Sequence, residues 1–459
     1  MKKYTKFSIA LALFIALALP IAVFAGNITS YTSGFQIQNL SSSDTANVTI
    51  SFYNQDGTVA AAPMDTIDAS DSNTYYPLSA VSDGFNGSVV ISSDQPVAAI
   101  ANILGNDGAH GASYVGFEGG AQTVNLPLVM KDNYGISTWF NVQNTGTEDA
   151  EVDVTYAGTS CTDSATVKPS ASHTFDQAAD TCLSAGYVGA AQVTANKDVV
   201  VAVMQVTDDS QGLLPSLLAY NGFTTSSTTP VMPLVTSGFY GSGTGIQIQN
   251  TGSLPTDVTL TYTPSAGFPG ATCTEMKTIT AGNSATFAFP MDASCYTDPG
   301  GSAGTAAFVG SAQVTTNSAS QNLVAIVNQV TLGASTAAAY GAFSPADATD
   351  TVSLPLIMDR NYGIFTGFSV ANVGNINTDI SCTFSGTSYT ASATNVAPGA
   401  SLTDVQDGAI ADGYVGSAVC TSSNGEPIAA VVNQLNTGSV LAAEDGLLVF
   451  EGINYTPAP

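Results

Sequence analysis

Hydrophobic and polar residues alternate along most of the chain in short runs. The segments GIQIQN, FNVQN, DVTLTY and EVDVTY place an apolar side chain at every second position, which is typical of β-strands with one face towards a core. Continuous apolar runs such as VVVAV and AAVV suit strands buried on both faces. Turn clusters such as NTG, PSAG and SSDQP separate the runs, and no convincing amphipathic helix follows Ala25. The pattern predicts an all-β protein.

Nearly the same sequence occurs several times. LPLVMKDNYGISTWFNVQNTG starts at Leu126, MPLVTSGFYGSGTGIQIQNTG at Met232 and LPLIMDRNYGIFTGFSVANVG at Leu354, and a shortened version, YTSGFQIQNL, starts at Tyr31. Each is followed by phrases resembling GYVGSA, VAIVNQV and AYNGF, in the same order. Repeats of this length are whole domains, because solenoid repeats usually run about 20–50 residues.

We divide the chain into four repeats, at residues 26–124, 125–230, 231–352 and 353–459. About seven short strands in roughly a hundred residues are typical of an immunoglobulin-like β-sandwich, with a small closed barrel as the alternative. The sequence therefore predicts four tandem immunoglobulin-like β-sandwich domains. The first repeat lacks the PL-containing strand that opens the others. This predicts an uncovered sheet edge, through which copies could associate end to end or laterally, and the alternative is a six-stranded end domain capped by its own loop.

The repeated stretch is interpreted as scaffold. LPLVM predicts a leading strand, NYG a bend and the next alternating run a second strand. The Asn that closes each stretch can hydrogen-bond its own backbone and start a turn. These residues are Asn39, Asn144, Asn250 and Asn372. The recurring Tyr and Phe are interpreted as core aromatics, and the alternative is a platform on which sugar rings stack.

The first 25 residues resemble a secretory signal peptide in layout. Lys2, Lys3 and Lys6 precede an apolar stretch broken by Pro20, and small Ala25 precedes Gly26. We predict cleavage after Ala25; an uncleaved membrane anchor is the alternative. No second long apolar run follows, so the sequence predicts a secreted or cell-surface protein without membrane insertion after cleavage.

The charge balance of the chain argues against two classes of binding partner. Lys and Arg number 8 against 35 Asp and Glu, and the formal net charge is −27 at pH 7. Such a surface repels nucleic acid and anionic lipid, so neither is expected as a partner. Hydrophobic residues make up 44% of the chain, which is enough for packed cores.

Six cysteines occur two per repeat in the last three repeats. A paired count in an exported chain predicts disulfides within each repeat, each contributing about 2–4 kcal/mol. A metal centre is the weaker alternative, because no CxxC motif occurs and the chain has two histidines. The predicted pairs are Cys161 with Cys182, Cys273 with Cys295, and Cys382 with Cys420.

Candidate catalytic residues are few. His110 lies in a Gly-rich loop, and His173 matches Ala285 of the third repeat, so neither marks a Ser-His-Asp arrangement. GGSAG around Ser302 matches GxSxG but follows a turn instead of an apolar strand. The sequence predicts no enzyme and no cofactor.

Acidic residues offer two further kinds of site. Asp65, Asp68 and Asp71, or Asp208 with Asp209, could supply the carboxylates of a glycosidase, although polar turn-rich segments usually form solvated loops. The loops DASDSN, QDGAIADG and MDRN offer oxygen ligands for structural calcium, but none matches the twelve-residue calcium-binding loop. No defined metal site is predicted.

The phrases LPLVM, NYG, TGIQIQNTG, GYVGSA and VAIVNQV resemble uncharacterised tandem-repeat secreted proteins of bacterial cell surfaces. The resemblance covers all four repeats, and it implies an extracellular surface or appendage role without implying catalytic residues. We expect a structural subunit of a layer, sheath or fibre, with its own copies or other surface components as partners. The alternative is an adhesin or carbohydrate-binding array that binds glycans, which exposed aromatic side chains around Trp139 would support.

Overall fold

The computed structural model describes residues 13–19, 28–207, 216–239, 242–265, 271–288, 308–331, 336–436 and 445–457. Within these ranges the chain is all-β, as the alternating pattern predicts, and its one helical element is a single 3-10 turn, Asn106–Gly108. No helix among the described residues is long and apolar enough to cross a membrane. The described strands form six sheets.

The first repeat contributes two sheets that share one hydrophobic cluster. One sheet contains the strands Leu13–Leu19, Gly87–Ser93, Ala46–Asn54, Val59–Ala61 and Met64–Ile67. The other contains Ser72–Tyr75, Tyr31–Asn39, Val97–Gly105 and His110–Val115.

In the second repeat one long strand, Tyr187–Thr207, pairs with four others, so the strands of this repeat join into a single seven-stranded sheet. The other members are Thr162–Val167, Ala150–Tyr156, Ile136–Asn144, Ser172–Asp176, Ala121–Lys131 and Leu217–Asn221.

The third repeat forms an eight-stranded sheet, joined through the pairing of Val231–Phe239 with Ser242–Asn250. Its other strands are Cys273–Ile279, Thr256–Pro264, Phe308–Thr316, Leu323–Thr331, Ala337–Gly341 and Ser284–Ala288.

The fourth repeat again has two separate sheets. One contains Thr390–Val396, Thr378–Phe384, Tyr414–Ser422, Thr351–Asp359 and Ile453–Asn454. The other contains Ser401–Val405, Ile364–Asn372, Ile428–Asn436 and Leu447–Glu451.

One strand position recurs in all four repeats, and we call its occupants the leading strands. They are Leu13–Leu19, Ala121–Lys131, Val231–Phe239 and Thr351–Asp359. The last three carry the PL dipeptide, and each shifts register there, between Leu126 and Val129 in the first of them. The shift has a physical cause, because proline has no N–H to donate to the ladder. Leu13–Leu19 has no proline and pairs without a shift.

The structure therefore fills the position that the sequence left empty in the first repeat. Residues 13–19, which belong to the apolar stretch of the predicted signal peptide, pair antiparallel with Gly87–Ser93. Leu and Ile side chains suit a strand at this position, because the chain elsewhere uses LPLVM and LPLIM there.

Four large hydrophobic clusters are each centred on one repeat and extended by the next. The first cluster includes Trp139 and Leu217 of the second repeat, and the second cluster includes Ile326 of the third. The third cluster includes Val431 of the fourth repeat, and the fourth includes Ile100 of the first. The series closes on itself, so the repeats form a closed ring and not an extended row.

The alternating strands of the repeated stretch, such as GIQIQN and FNVQN, are buried on both faces, whereas their pattern predicted one buried face. EVDVTY and DVTLTY bury every second residue, as their pattern predicts. Gln36 and Gln38 of the first repeat are 1% exposed. The Gln36 Nε2 donates to the Pro355 carbonyl of the fourth repeat at 2.7 Å, and Ser353 of the same leading strand donates to Gln38. Polar side chains of these strands thus bond a neighbouring repeat, which is a role that alternation alone does not reveal.

The prediction that the repeated stretch packs into the core is confirmed for its asparagines and for several of its described aromatics. All four closing Asn residues are fully buried and bonded to nearby backbone groups. Trp139 and Phe140 are also fully buried. The exceptions are Tyr134 and Tyr362 at the NYG bends, which are 90% and 89% exposed.

Candidate functional site: the axial junction

Four equivalent strands meet where the repeats converge, and we call them the axial strands. Each contacts the axial strand of the next repeat, and the fourth contacts the first. They are His110–Val115, Leu217–Asn221, Ala337–Gly341 and Leu447–Glu451. The phrases SYVGF, AYNGF and AYGAF mark the first three in the sequence, but repetition alone does not indicate that the copies touch.

A single carboxylate closes one end of this junction. The Asp445 Oδ2 accepts the N–H of Gly111 at 3.2 Å and of Leu217 at 3.1 Å. Its Oδ1 accepts the N–H of Ala337 at 3.4 Å and lies 3.5 Å from the N of Leu447. These four residues hold the same position in the four axial strands, so one side chain links all four repeats.

Burial governs the electrostatics of this carboxylate. Asp445 is 5% exposed, and its burial raises its pKa well above the ordinary value, while the four N–H contacts lower the pKa in part. The backbone N–H of Asp445 also donates to the Gly108 carbonyl at 3.0 Å. The group is held as an internal acceptor and is not open to a substrate, so its chemistry is that of a structural link.

Side-chain amides form a second connection around the ring, which we call the amide belt. Gln205 of the second repeat and Asn328 of the third exchange two hydrogen bonds, at 3.0 and 2.7 Å. Asn433 of the fourth repeat donates to Gln329 of the third at 3.2 Å. The amides of the first pair each donate to the other, whereas the Gln329 Nε2 and the Asn433 Oδ1 have no partner among the described residues.

The amide belt closes between the first and the last repeat. Asn102 donates to Gln434 at 2.9 Å, and Gln434 donates back to Asn102 at 3.2 Å, across 332 positions of sequence. At the remaining junction the equivalent positions hold Ile103 and Met204, which belong to the same hydrophobic cluster. Three junctions are therefore polar and one is apolar, which distinguishes the junction of the first and second repeats from the others.

Polar side chains also bridge repeats at the C-terminal ends of the axial strands. The Asn221 Nδ2 donates to the Val115 carbonyl of the first repeat at 2.9 Å. At the equivalent position of the fourth repeat, Glu451 accepts the N–H of Gly341 of the third. Burial raises the pKa of Glu451 to about 7, although the Gly341 N–H lowers it in part.

Stability should therefore depend on pH through Glu451. The folded chain holds this proton up to about pH 7, whereas the unfolded chain releases it near pH 4.5. The free energy of unfolding should fall as pH rises through this window, by at most about 1.4 kcal/mol per pH unit, and should level off above it. Urea titrations of the wild type and Glu451→Gln from pH 5 to 8 measure this contribution as a difference, and equal slopes would contradict it.

The two histidines do not come together. His110 is fully buried at the start of an axial strand. His173 is exposed on Ser172–Asp176, opposite Val142, and its ring packs edge-on against Phe175 at 4.8 Å. Partial burial of the imidazole lowers the pKa of His173. In the third repeat Ala285 occupies the equivalent position, opposite Ile248, as the sequence match predicts. His173 therefore lies at an ordinary strand position.

Several candidate carboxylates that the structure describes bond a neighbouring strand or pair with Arg360. Asp65 accepts the hydroxyl of Tyr75 at 2.8 Å and an amide N–H of Asn73 at 3.1 Å. Arg360 of MDRN pairs with Asp407 at 2.6 Å and Asp412 at 3.3 Å, both within QDGAIADG. No cluster of three or more His, Cys, Asp or Glu with metal-binding spacing occurs among the described residues. Asp208, Asp209 and Ser302 lie outside the described residues.

Two of the three predicted disulfides are present in the described ranges. Cys161 is bonded to Cys182, and Cys382 is bonded to Cys420 on the paired strands Thr378–Phe384 and Tyr414–Ser422. Cys273 is also disulfide-bonded, and its predicted partner Cys295 lies outside the described residues. Disulfides of this kind are typical of an oxidising extracytoplasmic environment.

The aromatic feature that would support glycan binding is absent at Trp139. Its side chain is fully buried and meets Tyr31 of the first repeat edge-on at 6.3 Å. An open cleft of about 340 Å³ does occur in the first repeat, lined by residues that include Tyr31, Tyr76 and Phe85, and its only carboxylate is Asp83. One carboxylate does not supply the acid and base of a glycosidase.

Comparison with known protein families gives a match over part of the chain. A family of unknown function, DUF5719, matches residues 34–178, which is less than half of the chain and spans the junction of the first and second repeats. The solved structure of trypsin activated alpha-2-macroglobulin from Escherichia coli aligns with 98% of this chain at 8% identity and a TM-score of 0.14. The chain spans 42% of the length of that protein. No curated protein matches the chain.

Proposed function

We propose that this chain is an exported structural protein of a cell surface or extracellular matrix, a subunit of a layer, sheath or fibre. In this proposal four immunoglobulin-like β-sandwich domains close into one ring, and the ring is the building block. The chain is not an enzyme and needs no cofactor. Its partners are its own copies and other surface components.

The observation that carries the proposal is the use of the buried polar side chains. Asp445, Glu451 and the amide belt all bond neighbouring repeats, so these groups hold the ring together. Hydrogen bonds within a buried polar network favour one arrangement and rigidify it. Together with disulfides and few charged residues, this favours a persistent exposed scaffold over a catalyst.

Electron microscopy of the exported protein and of the producing cells tests this function. We expect compact four-lobed particles, and arrays of the same particles in sheets or fibres on the cell envelope. Dispersed particles that never form arrays, on cells as well as at high concentration, would contradict the structural role. A catalytic activity that survives purification to homogeneity would contradict it as well.

A second candidate function, glycan binding as an adhesin, is favoured by the NYG bends. Tyr134 and Tyr362 are almost fully exposed, and both have left-handed backbone angles, with φ of 51° and 48°. A non-glycine residue held in this region is uncommon and occurs often at functional sites. Two exposed rings on matching bends could stack on sugar faces.

Glycan-array binding of the full chain tests the second candidate. The double variant Tyr134→Ala and Tyr362→Ala should lose binding at least about tenfold if both rings contribute stacking of roughly 1 kcal/mol each. The control is Met276→Ala, an exposed side chain of the third repeat outside the NYG bends and the open cleft. Equal binding by all three chains would exclude the tyrosines as the glycan site.

A further inference from the structure

The leading strands lie between successive repeats, and this placement is the same all round the ring. Ala121–Lys131 lies beside Ser242–Asn250 of the third repeat, and Thr351–Asp359 lies beside Tyr31–Asn39 of the first. Leu13–Leu19 lies beside Ile136–Asn144 of the second repeat in the same way. Each leading strand therefore completes its own sheet and fills the junction with the next repeat.

One of the four leading strands comes from the segment that the sequence assigns to a signal peptide. Cleavage after Ala25 would remove Leu13–Leu19 and leave Gly87–Ser93 without a partner on one side. The other three positions would be unaffected, because their strands lie within the mature chain.

The described residues that follow the predicted cleavage site pack against other parts of the first repeat. Ile28 is 3% exposed within the first hydrophobic cluster, and the Thr29 N–H donates to the Asn106 Oδ1 at 2.8 Å. The strand Tyr31–Asn39 follows directly and pairs along its whole length with Val97–Gly105. Residues 28–30 are thus already bonded elsewhere when the leading position is occupied.

We propose that the edge Gly87–Ser93 of the processed chain is a strand-acceptor site, which binds an extended apolar segment of a partner protein in antiparallel pairing. The site rests on the export that the proposed function includes and on the predicted cleavage after Ala25, but not on the surface role itself. The leading strands indicate the sequence that a partner strand needs. It should be an extended segment of about seven residues rich in Leu, Ile, Val and Ala. Backbone hydrogen bonds supply affinity there, and apolar side chains supply specificity.

The site also has a polar preference at one register. In the fourth repeat Ser353, opposite Val419, donates its hydroxyl to Gln38 of the first repeat. In the first repeat Ala16 occupies the same register, opposite Val90, and alanine has no donor. Gln143 of the second repeat is the counterpart of Gln38. It is 1% exposed, and its Oε1 has no partner among the described residues. Gln249 of the third repeat has the same burial and also an Oε1 without a partner among them. A partner strand with Ser at this register should bind more tightly than one with Ala.

Hydrogen exchange on the full chain and on residues 26–459 tests the proposal. Exchange of the Gly87–Ser93 amides that face the leading position should accelerate at least about tenfold in the shorter chain. A peptide LFIALAL with flanking lysines should restore protection, and LFISLAL should do so at lower concentration. The peptide LFIDLAL is the matched control and should restore none, because it would bury a carboxylate at the register of Ala16. Equal protection in both chains, or no effect of LFIALAL, would overturn the proposal.

A disulfide trap in the full chain keeps the test independent of whether the shorter chain folds. Ala16→Cys with Val90→Cys places two thiols on directly opposite residues, and Ala16→Cys with Ser92→Cys is the out-of-register control. The first pair should oxidise in high yield and the second should not. Equal yields would show that the register is not formed and would overturn the acceptor site.

Mass spectrometry of the exported protein separates this proposal from the proposed function. A chain that begins at Gly26 is expected. An exported chain that keeps residues 13–19 would overturn the acceptor site, because the position is then never vacated, yet it would leave the structural role intact.

Discussion

Replacing Asp445 with alanine should destabilise the whole chain by on the order of 4 kcal/mol. The change removes the acceptor of the N–H groups of Gly111, Leu217 and Ala337 at once. Each buried donor left without an acceptor costs about 1–3 kcal/mol, and the three belong to different repeats. Because the carboxylate links all the repeats, unfolding monitored by denaturant should also lose cooperativity, which appears as a lower m-value.

Asp412→Ala is the matched control for this prediction. Asp412 also lies in the fourth repeat, but its side chain is 77% exposed in an ion pair with Arg360. Its removal should change stability by less than about 1 kcal/mol. Added formate should partly restore Asp445→Ala, since a small carboxylate can accept the same N–H groups, whereas chloride should restore less. A variant as stable as wild type would show that the junction does not depend on Asp445.

Asn372→Asp should cost about 3–5 kcal/mol at neutral pH. The Nδ2 of this fully buried residue donates to the carbonyls of Ile376 at 2.8 Å and Val396 at 2.9 Å. An aspartate of the same shape would put a carboxylate oxygen against both carbonyls, and a buried charge without a partner is strongly destabilising. Protonation restores one of the two donors, so the deficit should shrink as pH falls.

Thermal unfolding at pH 7 and pH 4 measures this effect. Asn322→Asp is the matched control, because Asn322 is exposed, and it should stay within about 0.5 kcal/mol of wild type at both pH values. The same substitution at Asn144 or Asn250 should behave like that at Asn372, since each bonds two carbonyls in the same manner. A mild, pH-independent effect at Asn372 would contradict its role in fixing the turn.

Local features of the fold could be predicted from the sequence because their causes are local. Alternation placed the strands, and the recurring Asn indicated turns that the structure confirms. The disulfides Cys161–Cys182 and Cys382–Cys420 followed from paired counts within repeats. The bulges at PL were not predicted, although Pro127 and its counterparts were visible as residues without a donor.

The closed ring could not be predicted, because its contacts join residues far apart in sequence. Alternation shows that a strand has a polar face but not what covers it, so the burial of Gln36 and Gln38 was missed. The recurring NQ of VAIVNQV and AAVVNQL was a usable signal, since these residues form the amide belt. The role of Asp445 could not be recognised in the sequence, because the equivalent positions of the other repeats hold different residues.

A double-mutant cycle between Asn102 and Gln434 tests the closed ring most directly. Asn102→Met and Gln434→Ile reproduce the apolar pair Met204 and Ile103 of the natural junction between the first and second repeats. Each single variant leaves the remaining amide with Ser113 but without the amide across the junction, and should lose about 1–3 kcal/mol. The double variant should lose less than the sum of the two single losses. A coupling free energy of at least about 1 kcal/mol across 332 residues is the expected result. Strictly additive effects would contradict contact between the first and fourth repeats, and with it the ring.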